Sequence, residues 1–504
     1  MTVIATLSGP LPRLGVVVVA LLAAWSLLAR AERSRATAML GALALAPVLL
    51  LADIWHSPQL HLVHRHPLYG VVAAALALGL LGALAVVIHR RPWLFGALAV
   101  AALPFRVPIE AGGTTSNLLV PLYLVVASGS LAVIVPAFRD RVPDGQSRAP
   151  GWIERLLALY IVLYGVQAIY SNDFERALQN MVFFYVPFAL LFVLLTRVTW
   201  DRQLVGRSLR ILIALALAFA CIGFAEYATK TIILNPKLVV QNDLHTYFVV
   251  NSVFFDPDIF GRFLALVMVV IVALLVYDRP RREQLIACAV LVVLWAGLVL
   301  TLSRSSLLAL LAGIGTLVAV RYARWRTVAA GAIVLVAIGA AAVAISPTTF
   351  GVNQGLNGVS SGRGSLLSGG IHLFADRPLW GFGSGSFETA YHDHNPHSGP
   401  VTASHTIPVT IAAEQGLIGE LSYLALVITA VVVLLRGARG DPVRAAIAAA
   451  FVALLVHTML YADFLEDPVT WALLGIGVEL ARLAPKPEPE PSRARPGRIV
   501  PAPA

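Results

Sequence analysis

Long apolar stretches and short polar ones alternate along this chain from end to end. Apolar runs fall at 14–29, 36–52, 68–88, 93–105, 116–137, 152–170, 177–196, 208–228, 259–277, 284–301, 304–320, 327–345, 410–435, 443–461 and 468–482. Runs such as Leu14–Ala29 and Leu68–Ile88 contain no charged residue. Each approaches the roughly 20 residues that carry a helix across a bilayer core of about 30 Å. A buried helix of a soluble protein matches one such run, but not more than ten of them. The pattern therefore predicts an all-α polytopic transmembrane bundle of about 12–15 spans.

The connections also alternate. Arg30–Arg35, His89–Arg91, Arg139–Arg148, Arg197–Arg207, Asp278–Arg282, Arg321–Arg326 and Arg436–Arg444 are rich in arginine, and the connections between them are poorer or longer and mixed. By the positive-inside rule the arginine-rich set is cytoplasmic, with the amino terminus outside and the carboxyl tail inside. Two outer segments exceed simple connectors: Thr229–Asp258, and Ser346 to Ile407, the latter of roughly sixty residues rich in Gly, Ser, His and Asn. Connections that long are usually functional or disordered. Phe374, Trp380, Phe382 and Phe387 in the second one suggest packed structure with short helices. The organisation expected is amino-terminal spans over 1–150, a membrane core over 151–345, an outer loop over 346–407, carboxyl-terminal spans over 408–484, and a Pro-rich disordered tail over 485–504.

Composition agrees with this picture. The 504 residues are 58% hydrophobic and 13% charged, against about 25% charged in soluble chains. The net charge of +10 sits mostly in the arginine-rich connections, as topology requires, and so gives no reason to invoke nucleic acid. Cys221 and Cys288 both lie inside apolar runs and suggest neither a metal site nor a disulfide framework. Met1–Pro12 lacks a basic leader region, so the first span is expected to be retained.

An ionisable residue at a span end invites a functional reading. Arg304 follows Thr301-Leu302-Ser303 at the assigned outer face, where arginine runs against the usual bias. Arg262, in Phe260-Gly261-Arg262-Phe263, reads equally as an interfacial anchor or a site residue. Arg363 stands in the long outer loop. Three guanidinium groups on one face suit a phosphate-bearing ligand, because their forked donors match its oxygens. The loop also carries Gly381, Gly383 and Gly385, which allow tight turns or close approach. They follow no predicted strand, so a nucleotide loop is not expected. His392, His394, His397 and His405 lack the carboxylate or cysteine of a familiar metal spacing, so neither metal nor cofactor is expected. Glu226, Tyr227, His457, Asp463, Glu466 and Asp467 fall near the same face and receive no assigned role.

The order of these segments resembles the O-antigen ligase and polymerase family of lipid-carrier-dependent envelope enzymes. The resemblance rests on Ser303-Arg304, Arg363, Pro378-Leu379-Trp380-Gly381-Phe382-Gly383-Ser384-Gly385-Ser386-Phe387, His405, and Glu414-Gln415-Gly416-Leu417-Ile418-Gly419. It covers about 250–435. Two positions depart from it: Thr406 follows His405 where the family has Asn, and Asp258 stands where Asn is usual. His405 is preferred to His394 because it precedes Glu414 by nine positions, as the family histidine precedes its glutamate. The resemblance implies a GT-C-like membrane glycosyltransferase of the bacterial cytoplasmic membrane, acting on the extracytoplasmic face. Its partners would be a polyprenyl-diphosphate-linked glycan donor, a glycan, lipid or polymer acceptor, and membrane lipid. His405 would be the general base. Arg304 and Arg363 would hold the diphosphate, with Arg262 as a third cation. Glu414 would orient His405 or cap the following helix. A repeat-unit polymerase of the same family and a lipid-linked glycan transporter remain the alternatives. The transporter predicts discontinuous helices and inverted repeats.

Overall fold

The computed structural model describes residues 9–55, 64–111, 114–139, 149–233, 242, 248–277, 279–345, 363–396 and 403–483. The long helices are α1 (Pro10–Leu28), α2 (Glu32–Ile54), α3 (Pro67–Arg90), α4 (Trp93–Ala102), α5 (Val120–Arg139), α6 (Trp152–Gln167), α7 (Phe174–Leu195), α8 (Arg202–Thr229), α9 (Pro257–Val276), α10 (Arg281–Leu300), α11 (Arg304–Tyr322) and α12 (Trp325–Ile345). The long loop contributes two short helices, α13 (Arg363–Asp376) and α14 (Phe387–His394). Then follow α15 (Ile407–Leu435), α16 (Pro442–Thr458) and α17 (Pro468–Leu483). The fold is a polytopic helical bundle, and a helix stands at every apolar run of the sequence.

Eleven helices among the described residues are long and apolar enough to cross a membrane. That is fewer than the fifteen apolar runs, and for two of the other four the reason is length. Helices α4 and α16 are apolar but have only 10 and 17 residues. Helix α4 stops because the chain turns at Leu103-Pro104 into a feature the hydropathy did not reveal. This is an antiparallel hairpin of β1 (Val107–Ala111) and β2 (Thr114–Leu118), with Val107 opposite Leu118. The span expected from 116 starts instead at Val120.

Local signals explain the helix starts. Proline occupies the first turn of α9, α15 and α16, where its missing N–H costs nothing. Asp201, Asp256, Ser303 and Asp441 cap α8, α9, α11 and α16 through side-chain oxygens. Inside α7, Pro187 cannot donate to the carbonyl of Phe183, and the helix widens to a π turn over Met181–Tyr185. The Tyr123 hydroxyl donates to that freed carbonyl at 2.9 Å.

The centre of the bundle is α9, α11 and α16 packed on one another, and α1, α2, α6 and α7 form a second group of packed helices. Phe260, Ala309, Phe451, Leu454 and Trp471 are fully buried among them. Helices α3 and α10 expose much of their apolar surface outward, as Val71, Leu76, Ile286 and Val292 show. Such faces fit a lipid solvent, in which apolar side chains need no cover.

Candidate functional site

The site is built on a broken helix. Helix α15 leaves helical geometry at Gly416, where φ is 65° and ψ is −165°. A break inside an apolar bundle orphans backbone groups, which must find partners in the protein. The glycine-rich segment supplies them. Phe382 N–H and Gly383 N–H donate to the carbonyls of Ala413 and Glu414 at 3.1 and 2.8 Å, and Leu417 N–H donates to Pro378 O at 2.7 Å. The two backbones meet so closely that only glycine fits. A Cβ on Gly381 would lie 2.2 Å from Glu414 O, and one on Gly416 would lie 2.4 Å from the Leu379 carbonyl carbon. Gly383 presses likewise on Ser171, at the end of the segment following α6. Tyr170 and Ser171 hydroxyls tie down the carbonyls of Trp380 and Ser384 at 2.7 and 2.8 Å. The glycines thus approach the protein's own backbone, so they are not open to a ligand.

Glu414 completes this dock. Its two carboxylate oxygens accept N–H from Gly385 at 2.9 Å and Phe387 at 3.1 Å. It therefore caps α14, the helix before it in the chain, and does not reach His405. That corrects both roles expected for it, orienting the histidine and capping its own helix.

The dock delivers the loop onto the starts of α9 and α11 and the end of α16. His405 sits just before α15 with φ of 58°, a left-handed conformation rare for a residue with a side chain. Its Nδ1 is buried with no hydrogen-bond partner among the described residues. Its ring lies 6.4 Å from that of Tyr461. Burial, then the charge of Arg363, holds its pKa below the ordinary histidine value, with Asp258 and Asp463 pulling the other way. Arg363 begins α13; its Nη1 donates to Leu460 O at 2.8 Å and its Nη2 lies 3.9 Å from Asp258 Oδ2. Arg363 is close enough to His405 for its charge to act on the imidazole.

Arg304 is the first residue of α11, exposed and without an acceptor among the described residues. Its neighbour Ser303 bonds to Asp258, which ties it to the Arg363 cluster. Arg262 is almost fully buried, and its Nη2 pairs with Asp467. Its Nη1 has no hydrogen-bond partner among the described residues. It lines a cavity of about 850 Å³ between α4, α8, α9, α16 and α17, which Arg106 also borders. The cavity walls are largely apolar, including Leu212, Phe254, Phe263 and Leu473.

The segment between α16 and α17 adjoins His405, although its residues carried no assigned role. Tyr461 lies between His405 and His457, with ring centroids 5.5 Å from His457, and its hydroxyl donates to Asp256 at 2.9 Å. Burial and the charges of Asp256 and Asp463 hold that phenol well above its usual pKa, so it stays a donor. Glu466 takes a hydrogen bond from Asn180 at 2.9 Å and is pushed up to about 8, by burial first and then by Asp463. The signal that could have found this segment is the run of Tyr461, Asp463, Glu466 and Asp467 between two apolar stretches. Glu226 instead holds backbone N–H groups of Asn251 and Ser252 and is a structural clamp.

His394 bonds to Ala390 O and faces Asp376 at 3.1 Å. His397 lies outside the described residues. No group of three or more metal-ligating side chains occurs among the described residues.

The sequence segments brought together here, Ser303-Arg304, Arg363, the glycine dock, His405 and Glu414, all fall within one matched stretch. Residues 288–424 match the protein family described as O-Antigen ligase. The match supports the O-antigen ligase and polymerase family for this chain, and with it a broadly O-antigen ligase-like membrane function. A search of curated proteins found no match.

Proposed function

We propose that the chain is an O-antigen ligase-like glycosyltransferase that moves a glycan from a polyprenyl diphosphate to an acceptor hydroxyl at the extracytoplasmic face of the bacterial cytoplasmic membrane. The observation that carries the reading is His405: a histidine held in a left-handed conformation, with an unpartnered buried Nδ1, beside the half-exposed guanidinium of Arg363. Strain of this kind persists where the surrounding structure imposes it, and it clusters at functional sites.

The reaction needs little more than these groups. The acceptor oxygen attacks the anomeric carbon and its proton passes to the imidazole. The carbon–oxygen bond to the diphosphate breaks, and polyprenyl diphosphate leaves with the electron pair. One such displacement inverts the anomeric centre. A base must be neutral to accept the proton, and the lowered pKa keeps His405 neutral at ordinary pH. General base catalysis of this kind contributes about 10²–10⁴-fold. Arg363 and Arg304 stabilise the charge developing on the leaving diphosphate. The apolar cavity beside Arg262 offers volume for a lipid chain at membrane depth.

The break in α15 does not favour a transporter. Its freed backbone groups are filled by the glycine segment, where a transport pathway would leave them lining an aqueous cavity. The test is reconstitution in proteoliposomes with a polyprenyl-diphosphate glycan. His405→Ala should leave the lipid-linked glycan intact and produce no transferred product. Undiminished transfer by that variant sinks the assignment. Movement of lipid-linked glycan between leaflets without any new glycosidic bond supports the transporter instead.

A further inference from the structure

Asp258 stands on a platform too elaborate for a surface carboxylate. Its Oδ1 takes hydrogen bonds from the Ser303 hydroxyl and, at 3.1 Å, from that of Ser305. The Ser306 hydroxyl reaches its backbone carbonyl at 3.2 Å. Ser305 in turn lies 3.2 Å from His457 Nε2. If the Ser305 proton goes to the carboxylate, the imidazole must donate to Ser305. His457 then carries its proton on Nε2, which leaves Nδ1 bare, and Nδ1 is indeed buried without a partner. The close fit is enforced by Gly261, where a Cβ would lie 2.8 Å from the Ser306 hydroxyl and 2.9 Å from that of Thr301. From the other side the Asp256 carboxylate accepts the Asp258 N–H at 2.7 Å.

All of these hydrogen bonds fix Oδ1 and the backbone, and none uses Oδ2. Oδ2 is the atom that faces Arg363, at 3.9 Å. Arg363 is held at its other nitrogen by Leu460 O, and its side chain remains 40% exposed. A guanidinium held by one carbonyl, facing one carboxylate and open on the rest, is aimed, since its planar fork then has a preferred direction left for an incoming anion. A neutral Asn at this position would keep the serine contacts through its amide oxygen but would lose the charge facing Arg363.

We propose that Asp258 is a positioning residue for the proposed donor site: it orients Arg363 toward the diphosphate of the lipid carrier. This rests on the reading that Arg363 holds the diphosphate. The probe is farnesyl diphosphate, with farnesol as the uncharged control, and the full chain is used in detergent. Its Kd is measured by thermophoresis for the parent, Asp258→Asn, Arg363→Ala and the double variant, with thermal unfolding followed alongside. Arg363→Ala should weaken binding about 10-fold or more and Asp258→Asn about 5-fold. Asp258→Asn should add less than about 2-fold in the Arg363→Ala background, because neighbours acting through one contact are not additive. Asp258→Glu should recover part of the loss.

An unchanged Kd in Arg363→Ala overturns both readings. A loss in Arg363→Ala with unchanged or tighter binding in Asp258→Asn overturns the role of Asp258 alone. Equal losses from Asp258→Asn in both backgrounds do the same, since the effect then bypasses Arg363. Where Asp258→Asn does not fold, Ser303→Ala with Ser305→Ala loosens the carboxylate while keeping its charge, and the same dependence on Arg363 is expected.

Discussion

The two ends of the bundle use the same residue types to different ends. At the arginine-rich end, carboxylates and carbonyls hold several guanidinium groups, while others such as Arg202 and Arg282 are exposed. Arg35 and Arg197 share Glu32 at 3.0 and 2.9 Å, Arg482 pairs with Glu154, and Arg444 caps the carbonyls of Arg436 and Gly437. At the loop end, Arg304 is exposed without an acceptor among the described residues, and Arg363 is held but only partly covered. Arg262 and His457 there keep buried nitrogens without hydrogen-bond partners, as His405 does. A satisfied charge stabilises a structure; an unsatisfied buried donor or acceptor costs about 1–3 kcal/mol and persists only where something else requires it. Under the proposed function, the contrast separates guanidinium groups that hold the bundle from guanidinium groups that bind the donor.

Substitutions can break or sharpen that contrast. The largest effect is expected at His405: replacement by Ala should lower transfer about 10²–10⁴-fold with unfolding temperature nearly unchanged, read from turnover and thermal melts of one preparation. Gly416→Ala should do the opposite. It adds left-handed strain of about 1–3 kcal/mol and a clash with the Leu379 carbonyl, so the yield of folded protein should drop before activity can be compared.

A smaller and more diagnostic effect concerns pH. The pKa of His405 is lowered by burial and by Arg363 and raised by Asp258 and Asp463. The neutral base is lost as pH falls through that pKa, so the acid limb of kcat/KM lies below the ordinary histidine range. Arg363→Ala removes a lowering influence and should move the limb to higher pH, whereas Asp258→Asn should move it lower. Both limbs moving together would show that the titrating group is not His405. The smallest effect is expected at the other end. Glu154→Gln should cost about 1 kcal/mol of stability and leave transfer unaltered. A comparable loss of transfer in that variant would erase the distinction between the ends.

Much of the fold was written in the sequence, because hydropathy and proline or aspartate caps are local signals. Each apolar run became a helix for that reason, and Arg363 and His405 could be singled out from the motif order around them. The β hairpin at Val107–Leu118 was not legible, since 107–115 fall in the short gap between two apolar runs and 116–118 read as the head of the second.

What only the tertiary structure decided is partnership. Nothing local to Arg262 announces that Asp467 neutralises it from the far end of the chain. Glu414 looked like a site acid until the folded loop placed two backbone N–H groups on its carboxylate. The glycines of 381–385 and Gly416 are two halves of one contact, visible only when a broken helix and a distant loop share the same space. Apolar patterning is set by each residue's own transfer free energy, so it can be read one position at a time. Pairing depends on which distant backbone arrives alongside, and so it exists only once the chain has packed.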